Sequence, residues 1–266
     1  MKRIAFVDCD IDNFHANTFA RLLAEEGEEF TLSAVWAQRR DNLAAWAAAR
    51  QVTAVETIAE LAPLADDVMV LAPSNPETHL ALCTEAFALG KTTYVDKTFA
   101  PDRPTAQRIF EAADAHGVAV QTSSVLRYTE LQAYCQSRPD RPPRAISSWA
   151  NGGNFNEYVI HPVESVISVM GPEVEAVSSE EVAGMTRITL RFSGDRLATI
   201  AMYAGHRTPF FHVVSDAEAT APIAIDGSRM FLNGLRATLD FFRAGKAQIP
   251  REETLAILGV LDAVRR

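Results

Sequence analysis

The sequence is short of cysteine, of basic charge and of long apolar runs, and each shortage removes a class of protein. Only 3 cysteines occur in 266 residues, Cys9, Cys83 and Cys135. An odd number without paired metal spacing argues against a disulfide framework or a zinc site, so the thiols read as reduced. Lysine and arginine total 25 against 34 aspartates and glutamates, a formal charge of -9. That balance repels polyanions, and no basic stripe with interleaved aromatics offsets it, so nucleic acid is not an expected partner. No stretch approaches the ~18 apolar residues of a membrane span. The run after Lys2 and Arg3 is too short for a signal-peptide core, which reads as a cytoplasmic protein without a membrane partner. Internal repeats and low-complexity tracts are also missing. What is present, 48% hydrophobic and 22% charged residues, suffices for a sizeable core and for one large or two ordinary domains.

The first half alternates between two periods. Residues 3–8 (Arg-Ile-Ala-Phe-Val-Asp) form an apolar run of strand length, and Ala16, Phe19, Ala20, Leu22 and Leu23 then recur at helical spacing. The alternation continues with strands at 30–36, 68–72, 92–95 and 118–122 and helices at 41–50, 77–89 and 105–115. In the third helix Asn75 can cap, Pro76 suits the first turn, Leu80, Cys83 and Phe87 share a face, and Gly90 supplies a left-handed stop; Gly117 closes the fourth. Strand-helix alternation predicts an α/β fold with a doubly wound parallel sheet and ligands at the carboxyl ends of its strands.

The pattern changes after residue 122. Arg138-Pro-Asp-Arg-Pro-Pro143 can carry neither a helix nor a central strand and reads as a connection close to a boundary. Beyond it Ile188, Leu190 and Phe192 alternate up to Ser193-Gly-Asp195, and a second run, 197–203, completes an antiparallel hairpin. Residues 231–242 and 253–264 read as helices. The division is therefore 1–122 for the parallel-sheet domain and 123–266 for an α+β domain with a mainly antiparallel sheet, the last helix being free to pack back on the first.

Three stretches together resemble the Gfo/Idh/MocA family of sugar and polyol dehydrogenases. They are His79 to Lys97 with Asp96-Lys97-Thr98; Asn151-Gly-Gly153 followed by Glu157 and His161-Pro-Val-Glu164; and Pro250-Arg-Glu-Glu-Thr-Leu through Leu261-Asp-Ala263. The resemblance covers nearly the whole chain and implies a Rossmann-like first domain, NAD or NADP as cofactor, a carbohydrate-like small molecule as substrate, and a homo-oligomer, dimer or tetramer. It implies Lys97, His161 and Glu157 as catalytic residues. Histidine titrates in the range a base for a hydroxyl proton needs, a strand-end lysine can stabilise oxyanion charge, and Glu157, where the family has aspartate, can orient the imidazole. It also implies a cofactor groove containing Asp8, Asp10, Ile11, Asn13, Arg39, Ser74, Asn75, His79 and Asp96, and substrate contacts from Arg127 and Tyr128. Without the resemblance, Lys97 reads as a solvated charge, His161 as a helix-start residue and Arg127-Tyr128 as packing between domains. His15, His116, His206 and His212 show no ligand spacing. Family members associate through the open face of the second-domain sheet, so the hairpin 188–203 is either that surface or the cover of an internal helix.

One motif is broken. Asp8, Asp10 and Asn13 stand where Gly-x-Gly-x-x-Gly would bring the backbone against a pyrophosphate. The acid expected at the second strand's end falls at Ala37; Arg39 and Arg40 follow, which would suit a 2′-phosphate or simply be solvated. The amino end of a helix attracts negative charge, so Asp12 or Asn13 can cap it and the chain can fill its own anion site. Three functions follow. An NAD(P)-dependent oxidoreductase requires dinucleotide binding despite the carboxylates. A non-redox relative (isomerase, lyase, lactonase or sugar-binding protein) requires none. A magnesium phosphatase would use Asp8 as nucleophile and Asp10 as acid, but no later acidic pair completes its metal site.

Overall fold

The computed structural model describes residues 1–26 and 29–265. They form two compact units: Met1–Ser123 with Leu235–Ile249, and Ser124–Gly234 with Pro250–Arg266. The first division thus precedes the proline-rich connection by some fifteen residues.

In the first unit the elements run β1 (Lys2–Asp8), α1 (Phe14–Glu25), β2 (Phe30–Ala37), α2 (Leu43–Arg50), β3 (Thr53–Ala54), β4 (Asp67–Val70), α3 (His79–Phe87), β5 (Thr92–Asp96), α4 (Arg103–Ala115) and β6 (Val120–Ser123). The strands pair in parallel in the order β3-β2-β1-β4-β5-β6. β1 is flanked on both sides, which explains its unbroken apolar run: Ile4, Ala5, Phe6 and Val7 are all 0% exposed. α1 starts where the Asn13 side chain accepts from the Ala16 amide at 3.0 Å, and α4 where Asp102 accepts from Thr105 at 2.7 Å. Each cap satisfies an amide that has no partner within the helix. α1 buries Phe19, Leu22 and Leu23 as its spacing requires, roughly 1.5–3 kcal/mol for each large side chain.

α3 departs from expectation. Pro76–Thr78 form a 3-10 turn before it, and Asn75 makes no side-chain cap; its amide nitrogen donates to Glu77 instead. Leu82 and Ala86 join Cys83 and Phe87 on the buried face, while Leu80 is half-buried. Strand order reverses between β1 and β4, and a ligand cleft is expected beyond their carboxyl ends.

In the second unit the elements are α5 (Glu130–Gln136), β7 (Ala145–Gly152), α6 (Phe155–Tyr158), α7 (Ile160–Met170), β8 (Val174–Val182), β9 (Met185–Phe192), β10 (Arg196–Ala204), β11 (Phe211–Ser215), β12 (Thr220–Ala224), α8 (Met230–Ala244) and α9 (Arg251–Val264). The sheet order is β12-β11-β7-β10-β9-β8, antiparallel except for β7 beside β10. Ile188 pairs with Ile200 and Leu190 with Ala198 in the hairpin. All four are 0% exposed, and β10 packs against α7, so the hairpin's alternation covers an internal helix. Its other face carries Leu197, and β7 beside it carries Trp149, 40% and 49% exposed.

The return to the first unit is made by residues 235–249, not by the closing helix α9, which belongs to the second. Leu235, Leu239, Phe241 and Phe242 of the returning segment are buried, with the Phe242 ring 6.4 Å from that of Phe30 on β2. Helical periodicity gave no means of deciding which sheet this segment covers.

Candidate functional site

At the switch point of the first unit, Asp8, Asp10, Asn13, Arg39, Ser74 and Asn75 are among the residues around a cleft of about 680 Å³. Asp8 ends β1 and is 1% exposed. Its Oδ1 accepts the amides of Asp10 and Ala72, both at 3.2 Å, and its Oδ2 accepts the Asn13 side-chain amide at 2.8 Å. Burial pushes the Asp8 carboxyl up to about 6, against the pull of Asn13 and the backbone amides. Asn13 holds three groups: while capping α1 it also donates to the Asp10 carbonyl at 2.7 Å. Asp10 in turn accepts from the Asp12 amide and, at 2.7 Å, from Arg39.

Arg39 lines the cleft with one guanidinium nitrogen paired to Asp10 at 2.7 Å and its side chain largely exposed. Other expected cofactor contacts are corrected by this geometry. The Ile11 side chain is 0% exposed and belongs to the core. His79 is likewise 0% exposed, with Nδ1 on the Phe99 carbonyl at 3.1 Å and Nε2 on those of Leu71 and Ala72 at 3.0 and 3.2 Å. Burial lowers its pKa, and the neutral ring, with one N–H, donates on only one of these two sides. Asp8 as a phosphatase nucleophile is equally unsupported, because its oxygens are buried and engaged.

Asp96, at the end of β5, is 1% exposed and serves as a bracket. One oxygen accepts the Lys97 amide at 2.8 Å; the other lies 2.5 Å from Nδ1 of His15, in the first turn of α1. Burial opposes ionisation of Asp96, but His15 and Lys97 outweigh it and hold the carboxyl below its usual range. Lys97 Nζ donates to the Pro73 carbonyl at 3.3 Å. The His15–Asp96 pair joins residues 81 positions apart, and no local spacing announced it.

A second cluster lies within the second unit. His161, in the first turn of α7, places Nδ1 2.7 Å from the Ser124 hydroxyl, and the Ser124 amide donates to Glu164 Oε2 at 2.9 Å. The spacing His161-x-x-Glu164 puts both side chains on one side of the helix. Arg127 sits between carboxylates, 3.7 Å from Glu164 and hydrogen-bonded to Glu253. Its side chain is 11% exposed, so Arg127 is a structural cation and not the expected substrate contact. Burial pushes the Glu164 carboxyl up to about 7, partly opposed by Arg127 and the Ser124 amide. Tyr128 closes the turn after Ser124, its carbonyl accepting from Asn233 at 3.1 Å.

Gly152 has a specific role here: a Cβ added to it would lie 2.1 Å from Cγ of Tyr158. The missing side chain lets the Tyr158 ring rest on the end of β7, edge-on to His161 with centroids 5.8 Å apart. Glu157 accepts from the Asn154 side chain at 2.9 Å, while its own amide donates to Asn154 at 2.9 Å. Ser124 and His15 are the polar partners that sequence reasoning missed.

A dinucleotide pyrophosphate would lie on the turn between β1 and α1. In place of a glycine cradle the turn carries the side chains of Asp8, Asp10 and Asn13. The turn's polar groups are engaged by the chain's own side chains, and a carboxylate ~5 Å from a phosphate charge costs about 3 kcal/mol at an effective dielectric of ~20.

No protein-family model and no curated protein matches the sequence. Solved structures match in fold. The scyllo-inositol dehydrogenase of Lactobacillus casei, solved with NAD(H) and scyllo-inositol, superposes with a TM-score of 0.83 at 14% identity, covering 100% of this chain and 96% of that one. For the UDP-N-acetylglucosamine 3-dehydrogenase of Acidithiobacillus ferrooxidans the values are 0.83, 14%, 99% and 96%. For the myo-inositol 2-dehydrogenase of Lactobacillus plantarum they are 0.79, 14%, 98% and 95%. The chain has the fold of these sugar and polyol dehydrogenases over its full length.

Proposed function

We propose that this chain is an oxidoreductase acting on a sugar, a polyol or a related hydroxy compound, interconverting a hydroxyl-bearing carbon and its carbonyl. The observation that carries the reading is His161, held on a buried serine above the Glu164–Arg127–Glu253 cluster on a fold shared with inositol and nucleotide-sugar dehydrogenases. In this reading His161 addresses the substrate oxygen, Glu157 tunes the imidazole, and Lys97, fixed through its amide by Asp96, supplies positive charge.

A nicotinamide dinucleotide supplies the hydride acceptor in such chemistry, and NAD or NADP would be the cofactor. The filled turn at Asp8, Asp10 and Asn13 favours a second reading, in which the same residues serve non-redox chemistry (isomerisation, elimination or lactone hydrolysis) or plain ligand binding.

The test is an assay of the purified protein against a panel of inositols, hexoses and aldonolactones, with NAD, with NADP and with neither. Reduction of the dinucleotide that drops roughly 10²–10⁴-fold in His161→Ala supports the oxidoreductase. Product formed without dinucleotide, with the same dependence on His161, selects the second reading, and turnover indifferent to His161 refutes both.

A further inference from the structure

The contacts of Ser124 determine which nitrogen of His161 carries the proton. Ser124 is 0% exposed, so its polar groups must be satisfied by neighbours. Its amide is committed to Glu164, and its hydroxyl oxygen accepts the Leu126 amide at 3.2 Å. The remaining contact of that hydroxyl, 2.7 Å from His161 Nδ1, is a normal distance for an O–H donor.

Two assignments are available. With a proton on Nδ1, the serine oxygen would accept twice and its own hydrogen would need another acceptor, of which the structure offers none among the described residues. With Nδ1 bare, the hydroxyl donates to it, and donor and acceptor are both satisfied. A buried hydroxyl hydrogen without a partner costs roughly 1–3 kcal/mol, enough to bias the choice of tautomer about fivefold or more.

We propose that Ser124 is a positioning residue that fixes neutral His161 as the Nε2–H tautomer, so that Nε2 acts as a hydrogen-bond donor. This rests on the reading of His161 above and narrows it. A neutral imidazole with hydrogen on Nε2 cannot accept a hydroxyl proton there; it donates, and of the substrate oxygens a carbonyl on its way to an oxyanion gains most from such a donor. The ligand class that fits is a keto sugar, a lactone or another carbonyl-bearing polyol derivative, polarised by a neutral histidine. His161 then serves as an electrophile rather than as the hydroxyl base its titration range suggested.

Long-range proton–nitrogen correlation spectra of the ¹⁵N-labelled full chain read the tautomer directly and need neither substrate nor dinucleotide. Comparison with His161→Gln identifies the signals of this ring among the six histidines. The expected native pattern is one neutral tautomer with a protonated Nε2. Ser124→Ala should convert it to a mixture, and Ser124→Thr, which keeps the hydroxyl, should restore the single form. A native Nδ1–H pattern overturns the proposal whether or not the variants fold, and so does a Ser124→Ala spectrum unchanged from the native one. Because the readout is independent of turnover, an inactive protein with the expected spectrum would count against the oxidoreductase reading alone.

Discussion

The side-chain amide of Asn13 donates to the carboxylate of Asp8 at 2.8 Å, across the turn where a dinucleotide fold has glycine at both positions. The pair shows how the turn holds together with side chains at two of the three positions where such a fold has glycine. Asp8 supplies the anion that such a turn attracts, and Asn13 supplies the cap that α1 needs.

Restoring the glycines should therefore strengthen dinucleotide binding. In calorimetric titrations, an Asp8→Gly/Asp10→Gly/Asn13→Gly variant should bind NADH or NADPH roughly 100-fold more tightly than the native chain, the amount expected from removing a carboxylate that faces a phosphate. Equal affinities, or micromolar binding by the native protein, would show that the carboxylates are no barrier. Loss of the Asn13 cap to glycine should cost the helix only a few tenths of a kcal/mol.

Glu164 makes stability depend on pH in a defined direction. Its folded pKa of about 7 lies above the ordinary value of 4.5, so the folded state binds the proton more tightly than the unfolded one. Its contribution is complete below about pH 4 and is lost as pH rises through 7, a change on the order of 3 kcal/mol. Glu164→Gln cannot titrate but keeps an oxygen for the Ser124 amide. The stability of the native chain relative to this variant should fall between pH 5 and pH 8 in denaturant melts. A flat difference would mean that Arg127 keeps Glu164 ionised throughout.

The Gly152 contact predicts a contrast between neighbours. A Cβ at Gly152 meets the Tyr158 ring at 2.1 Å, whereas one at Gly153 comes no closer than 3.8 Å to it. Gly152→Ala should lower stability by roughly 1–3 kcal/mol and shift the ring resonances of His161; Gly153→Ala should do neither. Equal effects would assign the glycines to backbone flexibility instead.

Asp96 should respond to its histidine. Removing His15 leaves a buried carboxylate supported by the amide and charge of Lys97, and breaking such a pair costs roughly 3–5 kcal/mol. Because the folded pKa of Asp96 is depressed, the stability it contributes is present above the unfolded value and disappears as pH falls. His15→Ala should be strongly destabilised at neutral pH, and adding Asp96→Asn should recover part of the loss. An additive double variant would show that the two side chains are uncoupled.

What could be read from the sequence follows the range of the interaction. Strand-helix alternation, the left-handed stops at Gly90 and Gly117, and the hairpin at 188–203 depend on neighbours within a few residues, and all are present. The helix-start reading at Asn75 failed because Pro76 leads into a tight turn before α3 begins. The pairs that build the clusters join distant positions: His15 with Asp96, Ser124 with His161, Arg127 with Glu253. Their residue types are common, and only the folded backbone brings them together. The charge pattern at Asp8, Asp10 and Asn13 was legible, and its local contacts follow from it. The resemblance singled out His161 as a residue to examine, but the serine hydrogen-bonded to it has no motif.

The chain passes between its two compact units at 123/124, at 234/235 and at 249/250. Cutting the gene after residue 123 would strip the first unit of Leu235, Leu239, Phe241 and Phe242, all of them buried. Neither half is a contiguous cassette. A recombination event that exchanged one unit for a relative's would have to carry two separate stretches together. Neither unit can therefore be exchanged as one contiguous segment of the chain.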